Sequence, residues 1–164
     1  MKSLINIVFL VVPGMVALGA CRLRQSHRAE LPSFNLLLPD SVTIFNTASM
    51  EGGKPSLFIF FSPDCEHCQE ETISIIKHMD ELKDVNLCFV TIDPFVQMKS
   101  FVKFYKIARY PNVVIGRDYT YYFADHYKIN TTPYMVLFDY DKKQRAIFAG
   151  EVAISQIIAY INQL

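Results

Sequence analysis

The sequence has no tryptophan, and its 6 glycines among 164 residues fall well short of collagen-like or linker-like composition. It also has no surplus of charge. Sixteen basic residues balance sixteen acidic ones, so the counterion-releasing excess that a nucleic-acid binder needs is missing. Nor is there a shortage of apolar residues, since 51% of the chain is hydrophobic and 20% charged, which excludes a disordered protein. There is no second cysteine pair, no internal repeat and no low-complexity tract. What is present suits one globular domain, with 13 phenylalanines and 9 tyrosines supplying the bulk of the core.

The first residues read as an address. Lys2 precedes an uncharged stretch from Leu4 to Ala20, broken at Pro13-Gly14 and followed by Cys21. A basic residue, an apolar run and small residues before a cleavage point make a secretory signal. Leu18-Gly19-Ala20-Cys21 resembles the bacterial lipobox, whose cysteine is acylated and becomes the new N-terminus. The competing reading is an uncleaved membrane helix, but Arg22, Arg24 and Arg28 would then favour a cytosolic C-terminal side. The expected organisation is a signal peptide over 1–20, a lipidated polar tether over 21–33 and a folded domain over 34–164. The lipid on Cys21 would hold the domain on the periplasmic or exterior side of a membrane. Arg22 after that cysteine favours the outer membrane by the enteric sorting rule. Disulfides persist in such a compartment.

Along the domain, the spacing predicts two short strands within Phe34–Phe45 around the Pro39-Asp40-Ser41 turn, then a loop through Gly52-Gly53. Buried strands are expected at 56–61 and 85–92 from their continuous apolar runs. Helical periodicity marks 66–82, 95–107 and 151–164, and an aromatic-rich short helix is expected over 119–127. A short strand at 112–115 and a hairpin of 134–138 with 145–148 complete the reading. Strands alternating with helices imply an α/β fold with a mixed sheet covered on both faces.

The chemistry concentrates at Cys65-Glu66-His67-Cys68, directly after a buried strand and at the start of a helix. Free N–H groups and the helix dipole stabilise a thiolate at Cys65. Cys65 is then the attacking sulfur in disulfide exchange, and Cys68 resolves the mixed disulfide. His67 adds positive charge near Cys65 and Glu66 opposes it. Cys-x-x-Cys alone also serves zinc, but the further ligands would have to come from scattered histidines. No resident metal or cofactor is expected. Cys88 falls inside a strand, where it acts as a small hydrophobe.

Phe60-Phe61-Ser62-Pro63-Asp64-Cys65-Glu66-His67-Cys68, with Thr131-Thr132-Pro133 ahead of a later strand, resembles the thioredoxin superfamily. The acylated N-terminus, the added N-terminal strands and the insertion over 94–127 resemble its TlpA-like branch of membrane-anchored thiol–disulfide oxidoreductases. The resemblance implies a cis-proline at Pro133 against the cysteine pair, and a Thr132 backbone that pairs with an extended substrate. It implies partners among cysteine-containing envelope proteins and a membrane electron-transfer partner. The chain departs from the pattern in carrying Asp64 where many members have tryptophan, and Ile59 where thioredoxin has a buried aspartate. Glu71 then stands as the candidate proton acceptor for Cys68, against the alternative that Glu70 and Glu71 are solvated first-turn acids. Peroxiredoxins carry threonine where Ser62 stands, which argues against peroxidase activity. A histidine before the second cysteine suggests an oxidising couple, and the TlpA-like layout suggests a reductase. A copper-binding lipoprotein using Cys65, Cys68 and a histidine is the alternative from another class.

Overall fold

The computed structural model describes residues 29–164; the expected signal peptide, Cys21 and most of the tether lie outside the described residues. Seven strands form one sheet in the order β2-β1-β5-β4-β3-β6-β7. They are β1 (Asn35–Leu37), β2 (Ile44–Asn46), β3 (Ser56–Phe60), β4 (Asn86–Thr91), β5 (Val113–Arg117), β6 (Tyr134–Phe138) and β7 (Gln144–Ala149). Four helices cover it: α1 (Glu66–Lys77), α2 (Phe95–Tyr105), α3 (Tyr122–Tyr127) and α4 (Ile154–Ile161). The β3, β4 and β5 strands are parallel, while β6 runs antiparallel to β3 and β7 to β6. The β1–β2 hairpin extends the β5 edge antiparallel.

The continuous apolar strands are explained by burial on both faces. In β3 and just beyond it, Leu57, Ile59 and Phe61 enter one core with α1, α2 and α4. Phe58 and Phe60 enter a second core with Phe34, Phe123 and Phe138 on the opposite face. The same two-residue alternation divides β4, so Cys88 belongs to the second core while Cys68 belongs to the first. The sheet separates these two sulfurs, and burial pushes the Cys88 thiol far up.

Helix α1 is shorter than the apolar spacing suggests. The periodicity runs to Leu82, yet the helix ends at Lys77 with His78 as its cap. The His78 ring closes the end with Nδ1 2.9 Å from the Ser74 carbonyl. Met79 and Leu82 still reach the core, through turns. Similarly, the aromatic segment is helical only over Tyr122–Tyr127, entered through Tyr121 in a left-handed backbone after a turn that Asp118 holds. The buried Asp118 carboxylate accepts N–H bonds from Thr120 and Phe123 at 3.1 and 2.8 Å.

The strand directions bring several chain reversals to one pole. Phe60 at the end of β3 pairs with Tyr134 at the start of β6, which pairs with Ala149 at the end of β7. At the other pole Ser56 pairs with Phe138, and the β6–β7 turn holds the first described residues. There the Leu31 N–H donates to the Lys142 carbonyl at 2.9 Å and the Gln144 N–H to the Ala29 carbonyl at 2.8 Å. The Lys142 ammonium donates to the carbonyls of Ala48 and Met50 at 3.1 and 2.8 Å, clasping the segment after β2.

Candidate active site

The pole where β3 ends carries the dithiol. Cys65 is the N-cap of α1, and its sulfur accepts the Cys68 N–H at 3.4 Å. An N-cap normally uses an oxygen for this contact; here the acceptor is a thiol sulfur that gains most when it is negative. The loop leading into the helix is fixed by Gln69, whose side-chain amide donates to the Pro63 carbonyl at 2.9 Å. Asp64 accepts from the Gln97 amide at 3.0 Å, which ties the loop to the first turn of α2.

Facing Cys65 is the turn before β6. The Thr132–Pro133 peptide bond is cis, and the Thr132 carbonyl lies 3.8 Å from the Cys65 sulfur. The Pro133 carbonyl accepts the Gly150 N–H at 2.9 Å. Gly150 has φ of 79°, a left-handed backbone that glycine adopts without cost. It turns the chain from β7 towards Glu151, beside α1.

The two sulfurs differ electrostatically. Burial alone would raise the Cys65 thiol. Hydrogen bonds from the Cys68 thiol, the Thr132 side chain and the backbone N–H groups of Cys68 and His67 outweigh it, so the net shift is downward. Burial, followed by the hydrogen bond and charge of Cys65, pushes Cys68 up to about 12. One cysteine is thus poised as a thiolate and the other held as a thiol.

His67 and Glu71 both line one side of α1 near Glu151. The His67 Nδ1 meets a carboxylate oxygen of Glu151. Glu71 is only 8% exposed. Its Oε1 has no hydrogen-bond partner in the described structure, and it shares a cavity with His67, Glu70 and Glu151. Burial and then the Glu151 charge raise its carboxyl to about 7, so it is not a solvated first-turn acid. No direct hydrogen bond joins it to Cys68. Glu151 had no signal in the sequence, because only the Gly150 turn brings it to α1.

Sequence comparison gives the family from this point. Residues 28–148 match the AhpC/TSA family. The chain belongs to that family. No curated protein matches it. Among solved structures, this AhpC/TSA protein is similar to a secreted Mycobacterium tuberculosis disulfide oxidoreductase homologous to Escherichia coli DsbE. The TM-score is 0.66 and the identity 20%, over 80% of this chain and 96% of that one. The exposed lipoprotein thioredoxin Etrx1 of Streptococcus pneumoniae aligns at TM-score 0.62 and 17% identity, over 81% of this chain and 100% of that one. A reduced 2-Cys peroxiredoxin from Plasmodium vivax aligns at 0.65 and 18%, over 82% and 93%. At these identities the likenesses show the thioredoxin fold. No helix among the described residues is long and apolar enough to cross a membrane.

Proposed function

We propose that this AhpC/TSA-family protein is an extracytoplasmic thiol–disulfide oxidoreductase that exchanges electrons between Cys65/Cys68 and cysteines of partner proteins. The observation that carries this reading is the placement of the Cys65 sulfur. It accepts an N–H at the start of α1 and faces the Thr132 carbonyl beside the cis-proline.

In the reducing direction the Cys65 thiolate attacks one sulfur of a partner disulfide. That bond breaks, a partner thiolate leaves, and a mixed disulfide forms. The Thr132 backbone would hold the partner segment as an added strand. Converting Cys65 into a disulfide removes its charge and its hydrogen bond, two of the influences that hold Cys68 protonated. Cys68 then loses its proton and attacks Cys65. The Cys65–Cys68 disulfide closes and the second partner thiolate departs with the electron pair. Glu71, one helical turn on and with its carboxyl near neutrality, is the proposed proton acceptor, through water. The oxidising direction is the reverse.

The apolar leader ending at Cys21, and the resemblance to secreted and lipoprotein thioredoxins, support the proposal that the domain is a lipoprotein outside the cytosol. Its expected partners are envelope proteins with cysteines and a membrane electron donor. The copper-binding alternative needs a histidine nitrogen beside both sulfurs, and the recorded partner of His67 Nδ1 is the Glu151 carboxylate.

The test is the reduction potential of the pair, read by thiol trapping and mass counting after equilibration in redox buffers. A value of about −120 to −180 mV makes the protein a disulfide donor or isomerase, and about −270 mV or lower makes it a reductase. Failure to form the disulfide at any potential removes the redox reading.

A further inference from the structure

We infer that His67, Glu70 and Glu151 form a binding site for one divalent transition-metal cation of the zinc type, backed by Glu71. The site contains no sulfur. It stands apart from the dithiol and goes beyond the redox reading.

The donors come from two parts of the chain. Glu70 and Glu71 follow His67 by three and four positions in α1, which sets all three on one side of the helix. Glu151 arrives from the turn after β7, where the left-handed backbone of Gly150 redirects the chain. One ring nitrogen of His67 and one carboxylate oxygen each from Glu70 and Glu151 all lie within 4.8 Å of one another. Donors around a tetrahedral zinc ion stand roughly 3.4 Å apart, given bonds of about 2.1 Å. All three side chains are exposed and close the difference by rotating.

Exposed acids near the start of a helix are ordinary, because the dipole favours them. Glu71 has no such explanation. It lines the same cavity as the three donors, is 8% exposed, and keeps a buried Oε1 with no hydrogen-bond partner in the described structure. It also stands close enough to Glu151 for the two charges to oppose each other. Among the described residues, no lysine or arginine lines this cavity to offset its three carboxylates. Such a grouping is costly alone, and a cation relieves it. The imidazole selects the kind of cation. One nitrogen with carboxylate oxygens suits zinc, whereas magnesium and calcium take oxygen ligands throughout. Glu71 then serves as the outer partner, accepting a hydrogen bond from water carried on the cation.

The test titrates the full chain with Zn²⁺ alone, in competition with a chromophoric chelator. A Cys65→Ser/Cys68→Ala background removes both site thiols as ligands. Should that background destabilise the fold, the parent with Cys65 and Cys68 joined as a disulfide carries the same titration. One Zn²⁺ per chain should bind, and excess Mg²⁺ should leave it in place. His67→Gln and Glu151→Gln should each weaken binding about a hundredfold or more, and Glu71→Gln about tenfold. The His67 and Glu151 side chains are 59% and 58% exposed, so those two variants should keep the fold. A sulfur ligand elsewhere, such as Cys21, would be indifferent to all three substitutions. Absence of binding leaves only an ion pair between His67 and Glu151 and overturns the site. Affinity that any of the three variants leaves unchanged, or zinc that Mg²⁺ displaces, overturns it as well. None of these results touches the redox reading, which stands or falls on the reduction potential.

Discussion

The backbone N–H of Cys68 points at the sulfur of Cys65, 3.4 Å away, so the resolving cysteine's own amide stabilises the attacking thiolate. The contact exists only because Cys65 occupies the N-cap and Cys68 the third helical position. The two-residue spacer of Cys-x-x-Cys is what the first turn of a helix demands.

This asymmetry predicts different fates for the two cysteine variants. Cys65→Ser should abolish disulfide exchange. Cys68→Ser should still attack a partner and stall as a mixed disulfide, visible as a higher-mass species that a reductant removes. Equal inactivity of both variants, with no trapped species, would contradict the assigned order of attack.

The same asymmetry has a pH signature. Because the hydrogen bonds on Cys65 outweigh its burial, its alkylation should titrate below the roughly 8.5 of a free thiol. Cys68, held up to about 12, should stay unreactive through neutral pH. Iodoacetamide labelling followed by peptide mass mapping separates the two. In Thr132→Val the Cys65 midpoint should move upward, since one of its lowering hydrogen bonds is lost.

Burial of Glu71 costs stability in a defined pH window. Its carboxyl is raised from 4.5 to about 7 on folding, so the folded state holds a proton that the unfolded chain releases. Stability should therefore be greatest below about pH 4.5 as far as this group is concerned, and fall as pH rises towards 7. The loss is about 3 kcal/mol by linkage. Glu71→Gln should flatten that slope and raise the melting temperature at pH 8, while slowing resolution of the mixed disulfide. Thermal melts across pH read the first effect, and quenched-flow thiol trapping reads the second.

Gly116 permits the N-terminal hairpin to join the sheet. A Cβ there would stand 2.7 Å from the Leu36 Cβ and 3.2 Å from the Leu37 carbonyl oxygen. Gly116→Ala should cost on the order of 1–3 kcal/mol and loosen β1 and β2 first. Limited proteolysis near residues 38–43 should accelerate, and denaturant melts should show the loss of stability.

Much of the fold was legible because its signals are local. The two-sided burial of β3 and β4 shows as uninterrupted apolar runs, and the face of α4 shows in Ile154, Ile157, Ile158 and Ile161. Limits were legible less well where turn contacts decide them. His78 ends α1 five residues before the apolar spacing stops, and α3 begins only at Tyr122, after the turn that the Asp118 carboxylate holds. At the site, Cys65 and Cys68 are neighbours in sequence, and their helix start could be read directly. Thr132 came through resemblance, because its approach to Cys65 spans 67 positions. The contact between His67 and Glu151 had no sequence signal, because Glu151 is brought near only by the turn after β7. The exposed face of α2 looked like an ordinary amphipathic helix until Phe104 and Val96 were seen to remain outside the core.

The clasp at Lys142 has a bearing on how the protein meets its surroundings. Residues 29–31 are bonded to the β6–β7 turn, at the opposite end of β3 from Cys65. The central strand and its neighbours, about 17 Å long at the usual rise, stand between that point of entry and the dithiol. The described chain therefore enters the domain at the pole farthest from the reactive sulfurs, and nothing from that entry lies over the dithiol.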